Sequence, residues 1–187
     1  MAPGNPGLLR LKELGKFRVC IEQLTPATKL KIKDTVAYTM SREPGQNETD
    51  AWRRCAVAIM AEQKVAQWLR GSLTNGNEDF DDPLTWAYDV LSHVDYTGIR
   101  VEVKTHQSDS RWIAVTTGYS GDFPGGSGIN LGPFLQHQIA DCIIILDSEK
   151  VGAGEWEYTP RFIGDHDELK SIVKKSNYDG WYLNIRK

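Results

Sequence analysis

The chain has 187 residues, of which 40% are apolar and 25% charged, values typical of one globular domain or of one domain with a small appendage. This length can bury a hydrophobic core without disulfides, and the composition argues against disordered, collagen-like and membrane-spanning classes. The net charge of −3 is unusual for a protein that binds nucleic acid.

The charge is unevenly distributed along the chain. Residues 1–54 have a net charge of +4, residues 55–110 of −5 and residues 111–187 of −2. An acidic middle third would suit a divalent cation, and a basic first third could approach phosphate groups. Ordinary surface variation explains differences of this size equally well, so charge alone leaves both interpretations open.

The cysteines indicate the compartment. Cys20, Cys55 and Cys142 are odd in number and far apart, which argues against a zinc site and against a disulfide framework. A reducing, cytoplasmic setting is therefore expected. The longest apolar run, residues 142–146, is too short to cross a bilayer, and the N-terminus lacks the basic and apolar stretches of a signal peptide.

The first third of the sequence predicts a short lead and two strands. Residues 1–7 follow no periodic pattern and are expected to be loosely structured. Residues 17–24 and 30–39 alternate loosely between apolar and polar side chains, which favours strands, and the Thr25-Pro26 pair separates them. We expect residues 1–49 to form a basic N-terminal segment.

A helix is predicted over residues 50–73, where apolar side chains recur at helical spacing. Thr49 or Asp50 could cap its first turn, and Gly71 is a plausible end. An acidic, polar loop is expected to follow at residues 74–83.

A β-hairpin is predicted next, with strands at residues 87–94 and 99–105 joined by a tight turn. Asp95 and Gly98 occupy the first and fourth positions that a type I turn favours. The later predicted elements are a strand at 112–117, a glycine-rich loop at 118–132, a helical turn at 134–139, a buried strand at 142–146, a helix at 165–175 and a last strand at 181–185. This order predicts a mixed α/β core at residues 50–187, which forms one compact domain with the N-terminal segment.

The hairpin carries the clearest chemical pattern. Glu102 and Lys104 are two positions apart on one strand and therefore share a face. If Asp95 pairs with Gly98, Asp89 lies opposite Lys104 and joins that face. A register slip of one residue would turn Asp89 to the other face, so the cluster depends on the register.

Asp95 is the rival carboxylate, but it sits at the turn. About four residues of strand rise, on the order of 13 Å, separate it from Glu102, too far to share one metal ion. Asp89 is therefore the preferred partner of Glu102. Two carboxylates on one face suit Mg²⁺, which takes hard oxygen ligands and completes its shell with water and substrate phosphate. With a lysine beside them, this set predicts the hydrolysis of phosphodiester bonds.

Asp89, twelve intervening residues and then Glu102-Val103-Lys104 resemble the signature of the PD-(D/E)XK nucleases, the restriction-endonuclease-like superfamily. Glu62, on the helix before the hairpin, matches a glutamate that the family commonly carries. The resemblance covers about residues 50–146. Tyr88 stands where the signature often has a proline.

The resemblance implies a restriction-endonuclease-like fold, in which helices flank a mixed central sheet. It implies that Asp89, Glu102 and the backbone carbonyl of Val103 hold Mg²⁺, for which Mn²⁺ could substitute. Lys104 would position or activate a water molecule, and Glu62 would support the site or bind a second metal ion. The implied activity is that of a DNA endonuclease of the restriction, phage or junction-resolving type, and a homodimer is favoured if both strands are cut.

Other side chains could contact the nucleic acid. His106 extends the face of Glu102 and Lys104 by one step, where it could touch a phosphate or remain a bystander. The candidate phosphate-binding cations are Arg53, Arg54, Arg100 and Arg111. The glycine-rich loop could enter a DNA groove or close over the site, or it could be a surface excursion.

Each assignment has a plainer alternative. Glu102 and Lys104 could lie on a solvated strand face, Asp89 could bond a nearby amide, and Glu62 could face solvent. The chain could then be a non-catalytic nucleic-acid-binding module on the same fold, or a protein-interaction module with coincidental charges.

Overall fold

The computed structural model describes residues 4–74, 87–107 and 110–185 of the chain. These residues form four α-helices, a six-stranded mixed sheet and a four-stranded sheet, with turns and loops between them. In chain order the elements are α1 Pro6–Lys12, β1 Phe17–Cys20, α2 Pro26–Arg42, α3 Glu48–Trp68, β2 Ser72–Leu73, β3 Val90–Leu91, β4 Arg100–His106, β5 Ala114–Thr116, β6 Ile129–Asn130, β7 Cys142–Gly152, β8 Glu155–Gly164, α4 His166–Ile172, β9 Val173–Lys175 and β10 Trp181–Leu183. None of the helices in the described ranges is long and apolar enough to cross a membrane.

The larger sheet has the strand order β1-β8-β7-β4-β3-β2. Its strands pair antiparallel except for β4 and β7, which run parallel with Glu102 opposite Ile143. The smaller sheet has the order β6-β5-β10-β9, and β5 and β6 are its parallel pair. A mixed sheet flanked by helices is the architecture expected from the sequence.

Strand β7 separates two hydrophobic clusters. Cys142, Ile144 and Leu146 belong to the cluster that contains the buried residues of α1, α2 and α3. Ile143 and Ile145 belong to the other cluster, which contains residues of α4 and of the smaller sheet. Because successive strand residues point to opposite faces, this apolar run is buried on both sides and anchors β4 beside it.

Residues 30–39 are helical, so the strand predicted there is wrong. Thr25 caps α2 by accepting a 3.1 Å hydrogen bond from the amide of Thr28, and Pro26 occupies the first helical position. Ile32 and Val36 are buried at a spacing of four residues. The Thr25-Pro26 pair therefore starts a helix rather than separating two strands.

The first residues also differ from the prediction. A helix begins at Pro6, inside the expected loose lead, because Asn5 accepts hydrogen bonds from the amides of Gly7 and Leu8. The strand predicted at residues 17–24 is shorter, since β1 ends at Cys20 and a 3₁₀ turn follows.

The predicted helix at residues 50–73 is confirmed as α3, with different ends. Asn47, rather than Thr49 or Asp50, caps it by accepting a hydrogen bond from the amide of Asp50. It ends at Trp68, and Gly71 lies just beyond, where a Cβ atom would overlap the carbonyl oxygen of Leu91. The acidic loop expected at residues 74–83 lies outside the described residues from position 75 onwards.

The predicted hairpin is present in a register that differs by two residues. Val90 lies opposite Val101 and Leu91 opposite Arg100, whereas the predicted register would place them opposite Val103 and Glu102. A shift of two residues preserves the face of each side chain, whereas a shift of one would reverse it.

The loop of the hairpin explains the shift. The amide of Ser92 donates to the carbonyl of Ile99 at 2.9 Å, and this is the last pair before the loop. Six residues separate Ser92 from Ile99, whereas the predicted turn had two residues between its paired ends. A 3₁₀ turn at Val94–Tyr96 and the left-handed conformations of Thr97 and Gly98 fill that loop. The tight type I turn predicted at Asp95 is therefore wrong.

The C-terminal third follows the prediction in part. Strand β5, a π-type turn at Pro133–His137, β7, α4 and β10 lie where elements were expected. The predicted helix ends early, since residues Val173–Lys175 form strand β9. Strand β8 was not predicted, and β7 continues to Gly152 to pair with it.

Candidate active site

Asp89 ends the pairing between β3 and β4. Its amide donates to the carbonyl of Val101 at 2.9 Å, and its Oδ2 accepts from the amide of Val103 at 2.7 Å. The carboxylate thus accepts a hydrogen bond from β4 that a backbone carbonyl would accept if β3 were longer. The Asp89 side chain is thereby held against the backbone of β4 at Val103.

Glu102 is a buried carboxylate with one paired oxygen. The residue is only 1% exposed, and its Oε1 accepts from the ammonium of Lys104. Its Oε2 has no hydrogen-bond partner among the residues that the structure describes. Burial, reinforced by the negative charge of Asp89, raises the pKa of Glu102 to about 7.

Glu62 approaches the same place from α3, paired with a lysine of α2. The ammonium of Lys31 donates to Glu62 Oε2 at 2.6 Å, and both side chains are largely buried. Burial raises the pKa of Glu62 despite the opposing charge of Lys31. Burial alone would lower the pKa of Lys31, but Glu62, Asp89 and Glu102 together raise it.

Lys104 is the second cation of the cluster. Burial would lower its pKa, but the carboxylates of Glu102, Asp89 and Glu62 hold the pKa well above its ordinary value. Three carboxylates and two ammonium groups therefore form one electrostatically coupled group, in which each lysine remains charged at neutral pH.

A pocket of about 600 Å³ opens beside this group. Glu62, Asp89, Val103 and Lys104 line it, together with residues of α3, the end of β4 and the smaller sheet. Those further lining residues include Arg54, Ala58, Thr105, His106, Gln107, Trp112, Ala114, Gly128, Ile129 and Asn130. The last three come from the glycine-rich segment expected at residues 118–132, so its end forms part of the pocket wall.

The site fits a divalent ion with few protein ligands. No group of three or more His, Cys, Asp and Glu side chains in the described ranges could hold a metal. Asp89 and Glu102 supply two carboxylates, and the carbonyl of Val103 is the third oxygen that the resemblance implies. The unpartnered, buried Oε2 of Glu102 is the type of atom that a cation would satisfy.

The other predicted contact residues are divided between several places. His106 lines the pocket and is buried, with Nδ1 2.8 Å from Asp147 Oδ1. Arg54 lines the pocket and bonds Gln46. Arg53 lines a neighbouring cavity of about 900 Å³.

Arg100 and Arg111 do not line the pocket. Arg100 forms two hydrogen bonds of 2.8 and 3.1 Å with Asp141, an acceptor that raises the pKa of the guanidinium. The guanidinium of Arg100 thus already has a carboxylate partner. Arg111 lies with its guanidinium carbon 5.1 Å from the centre of the Trp112 ring.

Two features of the site were missed from the sequence. Lys31 was assigned to a strand outside the core, although a helix beginning at Thr25-Pro26 would have placed it one turn into an amphipathic segment. Trp112 was predicted on a strand and not as part of the site, but the residue is 53% exposed and lines the pocket.

Comparison with known proteins identifies the family. The family model described as bacteriophage T4 endonuclease IV matches residues 1–185. The protein named Endonuclease IV from Enterobacteria phage T4 is 53% identical over 185 residues, which cover 99% of this chain and 100% of that protein. No solved structure matches the chain. The chain belongs to the bacteriophage T4 endonuclease IV family.

Proposed function

We propose that this phage-type endonuclease hydrolyses the phosphodiester bonds of DNA in the pocket beside Asp89, Glu102 and Lys104, with Mg²⁺ held by the two carboxylates. The observation that carries the proposal is the convergence of Glu62, Asp89 and Lys104 on one pocket, with the buried carboxylate of Glu102 paired to Lys104 behind it. Mn²⁺ is expected to substitute, since it accepts the same oxygen ligands.

The site also supports membership of the PD-(D/E)XK superfamily and a restriction-endonuclease-like fold. Asp89 directly precedes the short strand β3, and the Glu-x-Lys strand β4 lies next to β3. Glu62 comes from the preceding helix α3. The Glu-x-Lys strand pairs in parallel with a buried central strand. Tyr88 in place of the proline leaves these relationships unchanged.

Each residue has a defined task in this proposal. Asp89 is fixed by the amide of Val103, so its carboxylate is already oriented for an ion that Glu102 shares. A bound Mg²⁺ would polarise a phosphoryl oxygen and make a water molecule more nucleophilic. Lys104 stabilises the negative charge that develops on the phosphoryl group.

Lys31 and Glu62 form an ion pair that neutralises the charge of the third carboxylate of the site. The buried ion pair keeps Glu62 beside the pocket while Lys31 offsets its negative charge. Arg54 at the pocket wall supplies a cation for a phosphate of the substrate.

A cleavage assay tests the proposal. Supercoiled and linear DNA are incubated with the wild-type protein in Mg²⁺ and in chelator, and then with Asp89→Asn and Lys104→Ala. Both variants are expected to lose at least 100-fold in cleavage rate, the scale of one preorganised charged group in an active site. Asp95→Asn is the matched control, because that rival carboxylate is exposed and pairs with Arg70.

Two results would contradict the proposal. Cleavage that persists in Asp89→Asn would exclude this carboxylate as a metal ligand. Full activity in chelator would exclude Mg²⁺. DNA binding without cleavage would instead favour a non-catalytic nucleic-acid-binding module, which membership of an endonuclease family argues against.

We further propose a homodimer if both strands are cut, because a two-fold protein matches the symmetry of duplex DNA. Sedimentation with and without DNA tests the dimer.

We also propose that the protein acts in a reducing cytoplasm, which suits its three free cysteines.

A further inference from the structure

A further cavity lies next to the pocket of about 600 Å³ that is proposed as the catalytic pocket, and Trp112 lines both. This cavity has a volume of about 510 Å³. We call it the aromatic cavity, and its lining residues are Trp112, Ala114, Ser176, Asn177, Tyr178, Asp179, Trp181 and Tyr182. Trp112 and Ala114 also line the catalytic pocket, so the two cavities share a wall.

The smaller sheet builds this cavity from rigid parts. Strand β10 pairs with β5, which places Tyr182 opposite Ala114 and Trp181 opposite Val115. Tyr182 meets the ring of Trp112 edge to face, with 5.4 Å between the ring centres. These contacts fix the orientation of Trp112 although its side chain is 53% exposed.

A tight loop supplies the polar part of the wall. The amide of Ser176 donates to the carbonyl of Gly180 at 3.0 Å, and the amide of Tyr178 donates to the hydroxyl of Ser176. This closure brings Asn177 and Asp179 to the cavity beside Tyr178, whose side chain is 95% exposed. The loop therefore presents an exposed aromatic ring, an amide and a carboxylate to one cavity.

We propose that the aromatic cavity binds an unpaired nucleobase of the substrate, one that neighbours the phosphate in the catalytic pocket. The proposal rests on the proposed function, since it takes DNA to be the substrate of that pocket. A base offers two flat faces to aromatic rings and a polar edge to an amide, a hydroxyl or a carboxylate. Asp179 disfavours a phosphate as the occupant because both would be negatively charged.

The position of Arg111 is consistent with this placement of a base and its neighbouring phosphate. The guanidinium of Arg111 lies 5.1 Å from the centre of the Trp112 ring. A strand that places one phosphate in the catalytic pocket and the adjoining base in the aromatic cavity passes this charge. Arg111 then offsets a backbone phosphate without contacting the reacting atoms.

A binding assay tests the proposal without requiring cleavage. The wild-type protein in chelator is titrated with a short single-stranded oligonucleotide of mixed sequence and with a series in which each base in turn is removed. One abasic position is expected to weaken binding roughly 5- to 100-fold, the range for one base stacked on an aromatic ring. Trp112→Ala should weaken binding of the intact strand by the same factor, and the abasic change should then have no further effect.

Three further variants make the result specific. Trp112→Phe should retain most of the affinity, because it keeps an aromatic face. Tyr178→Ala should weaken binding without affecting the fold, since its side chain is almost fully exposed. Trp52→Ala is the matched control, because that tryptophan is 40% exposed on α3 and lines neither cavity.

The outcomes separate the two proposals. Equal affinity of Trp112→Ala and wild type for every strand would overturn the aromatic cavity as a base site, even if the wild type cleaves DNA in Mg²⁺. The base site would also be overturned if Trp112→Ala weakened binding, relative to the wild type, by the same factor for every abasic strand. Position-specific loss in a protein that cleaves no DNA would support the base site and contradict the proposed function.

Discussion

The ammonium of Lys31 lies 2.6 Å from Glu62 Oε2, and this ion pair joins α2 to α3 beside the proposed catalytic pocket. The two residues are largely buried, so each charge depends on the other for its stability. Helix α2 therefore contributes directly to the electrostatics of a site whose other members come from α3 and the hairpin.

Replacing Lys31 by methionine should destabilise the protein, because it leaves the carboxylate of Glu62 buried without its partner. A loss of roughly 3 kcal/mol in the free energy of unfolding is expected. Urea denaturation at neutral pH measures it. Lys33→Met is the control, since Lys33 is exposed on the same helix. The double variant Lys31→Met with Glu62→Met should recover most of the stability, and failure to do so would show that the ion pair is not the cause.

Glu102 should make stability depend on pH in the metal-free protein. Its pKa is about 7 in the folded state, above the value of about 4.3 for an unfolded glutamate. The folded state therefore holds a proton that the unfolded state releases, so this stabilisation is complete below about pH 4 and is lost as the pH rises to about 7. Relative to Glu102→Gln, the wild type should lose on the order of 3 kcal/mol across this window. Urea denaturation in chelator measures the difference, and a constant difference would contradict the assignment.

Magnesium should stabilise the folded protein more strongly above pH 7 than below it. The cation requires the charged form of Glu102, which is the minor form in the metal-free protein at pH 5.5. We expect millimolar Mg²⁺ to raise Tm at pH 8 and to have little effect at pH 5.5. Glu102→Gln should abolish the increase at pH 8. An equal increase in Asp89→Asn and wild type would place the ion elsewhere.

His106 should support catalysis through its contact with Asp147. Its Nδ1 lies 2.8 Å from Asp147 Oδ1, and the other oxygen of Asp147 pairs with Arg161, so the imidazole is fixed where it lines the pocket. His106→Ala is expected to lower the cleavage rate about 10- to 100-fold, the effect of losing one hydrogen bond to a charged group. His93→Ala is the control, since that histidine is exposed in the hairpin loop. Unchanged cleavage by His106→Ala would make this histidine a structural residue only.

Gly71→Ala should displace β3 and with it Asp89. A Cβ atom at this position would overlap the carbonyl of Leu91, so the backbone must move. We expect a destabilisation of about 1–3 kcal/mol, as in other overpacked sites, and a lower cleavage rate. Gly15→Ala is the control, because a Cβ atom there meets nothing within 4 Å. Thermal unfolding and the cleavage assay together would detect both effects, and an unaffected Gly71→Ala would show that β3 tolerates the shift.

The local part of the site could be predicted because it depends on few assumptions. Asp89, Glu102 and Lys104 belong to one hairpin, and their charged groups remain close together although the register differs by two residues. Lys31 could not be placed, because Thr25-Pro26 is compatible both with a break between strands and with a helix start. The loose alternation of residues 30–39 favoured a strand, whereas Ile32 and Val36, four residues apart, are buried on one face of α2.

Strand β8 was missed for a different reason. Pro160 lies in its middle, and a proline inside a run argues against a central strand. In the structure Pro160 pairs with Leu146 next to a bulge, where Arg161 is the extra residue. Such a bulge depends on the partner strand and leaves no clear pattern in the sequence.

The pairing of β1 with β8 has a consequence for when the enzyme becomes competent. Phe17 lies opposite Tyr158, and their rings stack with centres 5.0 Å apart. Because synthesis proceeds from the N-terminus, β1 must wait for most of the chain before its partner strand exists. Helix α2, which carries Lys31, follows β1 after a 3₁₀ turn. We therefore expect ribosome-bound fragments that end before β8 to be inactive.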